Sequence, residues 1–280
     1  ILNYNNSAVG GNFYNHINPK QVKSYLENLK KLKIKILIIK INSPGGTVSA
    51  TAELTNILSN FKEETGVEIF FFTNEILASG AYWIATSANK IFASYGSIIG
   101  SIGVSGPSWF YYNTPVSLSS GIFGQSIETK GGIEVYNQNA GQGKDLFNPY
   151  RKPENEEIIH LQRIVDEVYD DFVSKVSNSR KIDLSVVKNQ IGAFIYSSNQ
   201  AKQNFLIDDV IDYKTLIEYI IDENNFENYK IFENNTKSNL IGNFLSIYKV
   251  NNENINININ ICNKLYGTIN VIIPLYLKEC

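Results

Sequence analysis

A chain of 280 residues can hold one large domain, or one domain with an appendage, and 43% hydrophobic residues support a sizeable core. A formal net charge of -2 offers no basic field, which argues against nucleic acid as a partner. The two cysteines, Cys262 and Cys280, both fall in the last twenty residues and form neither a zinc spacing nor a disulfide framework.

No methionine occurs, not even at position 1, so the chain reads as a processed or truncated product. No apolar run reaches the roughly 18 residues that span a bilayer, so any anchor or signal would lie upstream of Ile1. Residues 1–20 are rich in Asn and Gly and read as irregular. From Lys20 to Lys33, Val22, Tyr25, Leu26 and Leu29 recur at helical spacing. Ile34 to Ile41 is nearly continuous in β-branched residues and predicts a strand covered on both faces. It ends in Asn42-Ser43-Pro44-Gly45-Gly46. Thr47 then opens a helix to about Glu64, with Val48, Ala52, Ile57, Leu58 and Phe61 available for its buried face.

The next unit repeats the plan, with a strand from Val67 to Thr73, a turn, and a helix over 79–88. A short strand Lys90–Ala93 leads into the glycine-punctuated stretch Gly96 to Val104. Strands alternating with helices predict an α/β layered fold with largely parallel pairing. Residues 106–143 are rich in Gly, Ser, Tyr and Asn, with a strand expected near Ile133–Tyr136. Pro153, Glu154, Glu156 and Glu157 suit the start of a long amphipathic helix. Ile158, Leu161, Val165, Val168, Phe172 and Val176 line one face of it. A short helix (Leu184–Gln190), a strand (Phe194–Ser197) and helices at Asn199–Phe205 and Tyr213–Ile221 complete the pattern. After about Asn224, Asn and Ile dominate. The alternation from Asn254 to Ile261 suits an edge strand, though compositional bias is the simpler account. The expected division is therefore 1–224 and an appendage, 225–280.

Ser79 stands where a strand turns into a helix, between Ala78 and Gly80. A serine there either caps the helix or offers a nucleophilic hydroxyl beside free backbone N–H groups. Gly45-Gly46, just past the end of a strand, is either a plain Pro-Gly turn or a place where a substrate backbone approaches and an oxyanion is held. A phosphate loop is disfavoured, since neither glycine-rich signature is present. Ser79 as nucleophile needs a base. His16 lies in the irregular leader, and His160 sits on a polar turn of the long helix and reads as solvated. The remaining base is a lysine whose amine is neutral through burial. Lys144, after Gly141-Gln142-Gly143 in a charge-poor segment, is the candidate; the alternative is an ordinary surface lysine.

Four stretches in matching order carry a resemblance: Ile41-Asn42-Ser43-Pro44-Gly45-Gly46, Leu77-Ala78-Ser79-Gly80-Ala81-Tyr82-Trp83-Ile84-Ala85, Gly100-Ser101-Ile102-Gly103-Val104 and Gly143-Lys144-Asp145. Together with the block Arg180–Asp208 they resemble the SppA-type signal peptide peptidases, over roughly residues 20–215. The resemblance implies an α/β fold of the ClpP/crotonase type, a superhelix of repeated β-β-α units. It implies Ser79 as nucleophile, Lys144 as general base, the N–H groups of Gly46 and Gly80 as oxyanion donors, and Ser101 orienting the lysine. No metal or cofactor is implied. Hydrophobic, signal-peptide-like substrates, a homo-oligomer and membrane association through an upstream anchor are. Residues 106–143 are longer than the family's usual spacing, and the Asn-rich tail has no counterpart in it. Rival readings are a related protease clipping membrane proteins, a crotonase-like acyl-CoA enzyme, and a non-catalytic scaffold of the same fold.

Overall fold

The computed structural model describes residues 17–111, 119–121, 124–126, 138–234 and 268–274, with 119–121, 124–126, 233–234 and 268–274 described by their backbone. The expected strand near Ile133–Tyr136, the Asn254–Ile261 alternation and His16 lie outside these residues. In chain order the elements are α1 (Pro19–Lys30), β1 (Ile36–Lys40), α2 (Val48–Thr65), β2 (Glu68–Thr73), β3 (Ile76–Ala78), α3 (Gly80–Ala85), β4 (Lys90–Ala93) and β5 (Ile98–Gly100). There follow β6 (Ser119–Gly121), β7 (Gly124–Ser126), α4 (Asn155–Arg180), α5 (Leu184–Val186) continued by a π-helical turn (Val187–Ile191), and β8 (Ile195–Ser197). The last are α6 (Ser198–Gln203), β9 (Asp209–Val210), α7 (Tyr213–Glu223), β10 (Tyr229–Asn234) and β11 (Thr268–Pro274). Two compact units result, one formed by residues 1–103 with 171–280, the other by 104–170.

The first unit is built on a six-stranded sheet in the order β10-β11-β1-β2-β4-β9. Strands β1, β2, β4 and the edge strand β9 run parallel, and β11 joins β1 antiparallel. Two strands beyond residue 224 thus extend this sheet. Side chains alternate across a strand. Ile36, Ile38, Phe70, Phe72 and Phe92 therefore share one face, where Leu216 and Ile220 of α7 complete the core cluster. Leu37, Ile69, Phe71 and Ile91 point the other way and are equally buried. Covering both faces is what the near-continuous apolar runs require.

A second, three-stranded sheet is ordered β3-β5-β8, with β3 parallel to β5 and β8 antiparallel. Each repeat thus sends one strand into the large sheet, a short strand into the small one, and then a helix: β2, β3, α3. In the first repeat the short strand is reduced to a single parallel bridge, Ser43 to Leu77. These are the repeated β-β-α units of the ClpP/crotonase-like superhelix, and the stretch between β2 and Ser79, read from sequence as a turn alone, contains β3.

Local signals set the ends of the helices. Asn18 caps α1 by accepting from the Lys20 N–H at 2.9 Å, and Pro19 occupies its first turn. Thr47 caps α2, and Gly66 ends it in the left-handed region. The buried face of α2 is Ala50, Thr51, Leu54, Thr55, Leu58 and Phe61, rotated from the expected one; Val48 is exposed. Thr51 and Thr55 can face inward because their hydroxyls donate to the carbonyls of Thr47 and Thr51, at 2.9 and 2.8 Å. On α4 only Phe172 and Val176 of the expected stripe are fully buried, and Ile158 is exposed. Phe172 stacks on Trp83 of α3 with centroids 4.8 Å apart, and the fully buried Tyr82 donates its hydroxyl to the Leu206 carbonyl at 2.7 Å. These contacts fix the short helix that begins after Ser79.

Candidate active site

Ser79 joins β3 to α3 with φ 53° and ψ −129°, a backbone conformation that side-chain-bearing residues avoid. Its side chain makes no capping hydrogen bond. A capping serine sits in extended backbone and turns its oxygen onto the helix N–H groups; Ser79 does neither. Its N–H donates to the Gly100 carbonyl at 2.9 Å, and its carbonyl accepts from Trp83 N–H at 3.0 Å. The hydroxyl is thus left out of the helix on a backbone held from both sides. Gly80, the first residue of α3, has an N–H with no partner inside the helix.

The loop after β1 lies directly on this serine. Ser43 N–H donates to the Ile76 carbonyl at 2.8 Å, and Ala78 N–H donates to the Ser43 carbonyl at 3.1 Å, so the loop is zipped to β3. Asn42 closes the other end. Its Oδ1 accepts from Thr73 Oγ1 at 2.8 Å, Glu75 N–H at 3.1 Å and Asn74 N–H at 3.2 Å, and its Nδ2 donates to Asn74 Oδ1 at 2.9 Å. Buried Ser43 accepts the Gly45 N–H on its Oγ at 3.2 Å, which commits that N–H. Gly45 is at φ +113°. A Cβ on it would stand 2.8 Å from Ser79 Cβ, 3.0 Å from Gly80 N and 3.1 Å from Ser79 Oγ. Only glycine fits there, for both reasons.

Gly100-Ser101 reaches the same place through β5. Gly100, at φ +121°, lies against the Phe194 carbonyl, only 2.6 Å from where its Cβ would be. Ser101, also at positive φ, donates its N–H to that carbonyl at 2.8 Å. It is half-buried, and no hydrogen bond of its hydroxyl occurs among the described residues. The first unit therefore brings together Gly45-Gly46, Ser79-Gly80 and Gly100-Ser101. Lys144 belongs to the second unit, in a turn where its N–H donates to the Gly141 carbonyl at 3.2 Å. Its side chain is exposed, contrary to the burial expected of a neutral amine, because the turn around it is itself exposed at Gly141 and Gln142. His160 is exposed on α4. Among the described residues no three His, Cys, Asp or Glu side chains converge as a metal-binding group.

Residues 61–227 match peptidase family S49. The chain belongs to that family. It is 31% identical over 201 residues to an Enterococcus faecium protein carrying the name signal peptide peptidase SppA, covering 70% of this chain and 53% of that protein. A protease-named protein of Methanocaldococcus jannaschii is 31% identical over 195 residues, 68% of this chain and 58% of its own length. Protease 4 of Salmonella typhi is 28% identical over 182 residues, 65% of this chain and 27% of that protein. The chain thus spans a little over half the length of the first two relatives.

S49 is a serine peptidase family, and its match begins inside α2 and ends just before β10. Ser79, Gly80, Ser101 and Lys144 lie within the S49 span; Gly45 and Gly46 precede it. Sequence reading singled out Gly46 and missed the closeness of Gly45, and it gave Asn42 no role of its own. The only sequence signal for either was their place directly after a buried strand.

Proposed function

We propose that this chain is the catalytic region of a serine endopeptidase acting through an acyl-enzyme, with Ser79 as nucleophile and Lys144 as general base. The observation that carries the reading is the backbone of Ser79, held at positive φ with its hydroxyl uncapped and Gly45 pressed against it. Ser79 Oγ attacks the scissile carbonyl carbon while the neutral Lys144 amine takes its proton. The N–H groups of Gly46 and Gly80 receive the oxyanion. The lysine ammonium returns the proton to the departing amine, and water repeats the cycle on the ester. Ser101 accepts from or donates to the amine and orients it. Lys144 must leave its exposed setting for this, since a base of this kind works only when desolvated.

The relative named signal peptide peptidase supports hydrophobic, signal-peptide-like peptides as substrates. Resemblance to that family adds a homo-oligomer and a membrane-associated location. Among the described residues no helix is long and apolar enough to cross a membrane. The test is turnover of a hydrophobic peptide ester or amide by Ser79→Ala. A folded variant with no turnover is expected; activity within about tenfold of the parent removes Ser79 from the reaction.

A further inference from the structure

Lys144 lies in a run of turns, 141–147, closed by Lys144 N–H to Gly141 O, Leu146 N–H to Gly143 O and Asn148 N–H to Asp145 O, each 3.2 Å. Gly141, Gly143 and Phe147 all have positive φ. Glycines on either side leave such a segment many conformations unless something outside it holds it. What holds it is Arg151. Its Nε donates to Asp145 Oδ2 at 2.6 Å and its Nη2 to the Asp145 carbonyl at 3.4 Å. Nη1 and Nη2 fork onto the Glu157 carboxylate at 2.8 and 2.6 Å, and Nη1 also reaches the Lys152 carbonyl at 3.1 Å. All five donors of the guanidinium are engaged. Glu157 in turn accepts the Glu154 N–H at 2.8 Å, tying the fork to the start of α4. The guanidinium lies 5.2 Å from the Trp109 ring centroid. Trp109 donates to the Asn148 carbonyl at 3.1 Å and packs against Phe147.

We propose that Arg151 is a positioning residue for Lys144, fixing its turn to the start of α4 and engaging the neighbouring carboxylate of Asp145. The proposal rests on the reading of Lys144 as the base. The charged groups around the guanidinium are Asp145, Glu157 and Lys152, the last placed over Tyr111. Asp145 is next to Lys144 in the chain, and an unpaired carboxylate there stabilises the ammonium form, the form useless to a base. The guanidinium offsets that charge, so losing Arg151 leaves the carboxylate unpaired beside the lysine. On this proposal, removing Arg151 and removing Asp145 should change the rate profile in opposite directions. A lysine at 151 keeps the charge but cannot reproduce the planar fork.

The experiment measures kcat, KM and the pH dependence of kcat/KM for a hydrophobic peptide ester with the parent chain, Arg151→Gln, Arg151→Lys, Asp145→Asn and Lys144→Arg, with thermal melting of each. Arg151→Gln should move the rising limb of the profile to higher pH by about one unit, which is tenfold in rate at a fixed lower pH. Its kcat should fall with KM nearly unchanged. Asp145→Asn should move the limb to lower pH. Arg151→Lys should leave the limb nearer the parent's yet keep part of the loss in kcat. Limbs that stay put in both Arg151→Gln and Asp145→Asn, or that move in the same direction, overturn the proposal, even when both variants melt lower. Should Arg151→Gln fail to fold, the downward shift in Asp145→Asn decides alone. Turnover retained by Lys144→Arg overturns the reading of Lys144 and the proposal with it, an outcome distinguishable from stationary limbs.

Discussion

Replacing Gly45 by alanine tests the packing of the loop against the nucleophile. Two costs add at this position. The backbone is at φ +113°, outside the regions open to alanine, which costs about 1–3 kcal/mol. The new methyl would meet Ser79 Cβ at 2.8 Å, well inside the roughly 3.5–4.0 Å of a normal carbon contact. If nothing moved, such overpacking would cost a further 1–3 kcal/mol or so. Relief means moving Ser79, or the loop, by about 0.7–1.2 Å to restore normal contact. Displacing a reacting group by about 1 Å costs on the order of 10²-fold in rate. Gly45→Ala should therefore melt lower by the equivalent of about 2–4 kcal/mol after partial relief, and lose about 10²-fold in kcat with a smaller change in KM. Gly66→Ala is the control. It too has a positive φ, at +67° in the left-handed region where alanine is strained less, but no atom lies within 4 Å of its Cβ position, and it should lose stability alone. Turnover of the peptide ester and thermal melting of the three proteins are the assay. Gly45→Ala within about threefold of the parent in kcat, or Gly66→Ala equally impaired, refutes the packing of Gly45 on Ser79 as a determinant of rate.

Further outcomes follow from other contacts. Ser101→Ala should slow turnover by roughly 10²–10³-fold, the usual cost of one preorganised hydrogen bond, and an unchanged rate removes Ser101 from the site. Asn42→Asp keeps the acceptor for Thr73, Asn74 and Glu75 and should retain more kcat than Asn42→Leu, which orphans all three donors; equal losses in the two variants contradict the clamp. Asp145 and Glu157 are held below the usual carboxylate range by Arg151, Asp209 by Lys202, and Glu223 by Lys90. A carboxyl group with a depressed folded pKa contributes stability above its unfolded pKa and loses it as pH falls through the folded value. Melting temperature should thus be flat from neutrality to about pH 4.5 as far as these groups go, then fall, and the Arg151→Gln variant should show a shallower acid decline. An equally steep decline in that variant contradicts the pairing.

The strands and the turn at Ser79 were legible because each rests on a local signal. Ile34–Ile41 and Val67–Thr73 are short, largely apolar runs rich in β-formers that read as buried strands, and Ala78-Ser79-Gly80 falls between a strand and a helix. Neither periodicity nor propensity could expose the rest. The face of α2 was misread because threonines count as polar, yet Thr51 and Thr55 satisfy their hydroxyls within the helix and turn inward. β3 is only three residues and hides between a turn and a helix. Two adjacent glycines cannot be told apart without the backbone, so the close packing of Gly45 on Ser79 had no signal of its own in the sequence. The Arg151 fork joins charges six residues apart on either side, outside any repeating pattern, and no spacing rule points to it.

The nucleophile itself is the central claim, and a fluorophosphonate reaches it most directly. The parent chain, treated with the reagent at mildly alkaline pH and digested, should carry the phosphonyl adduct on the peptide containing Ser79, with fragmentation placing it on that residue. Ser79→Ala should carry none, while Ser101→Ala should still be labelled at Ser79, more slowly. An adduct on another serine, or equal labelling of the parent and Ser79→Ala, would contradict the account.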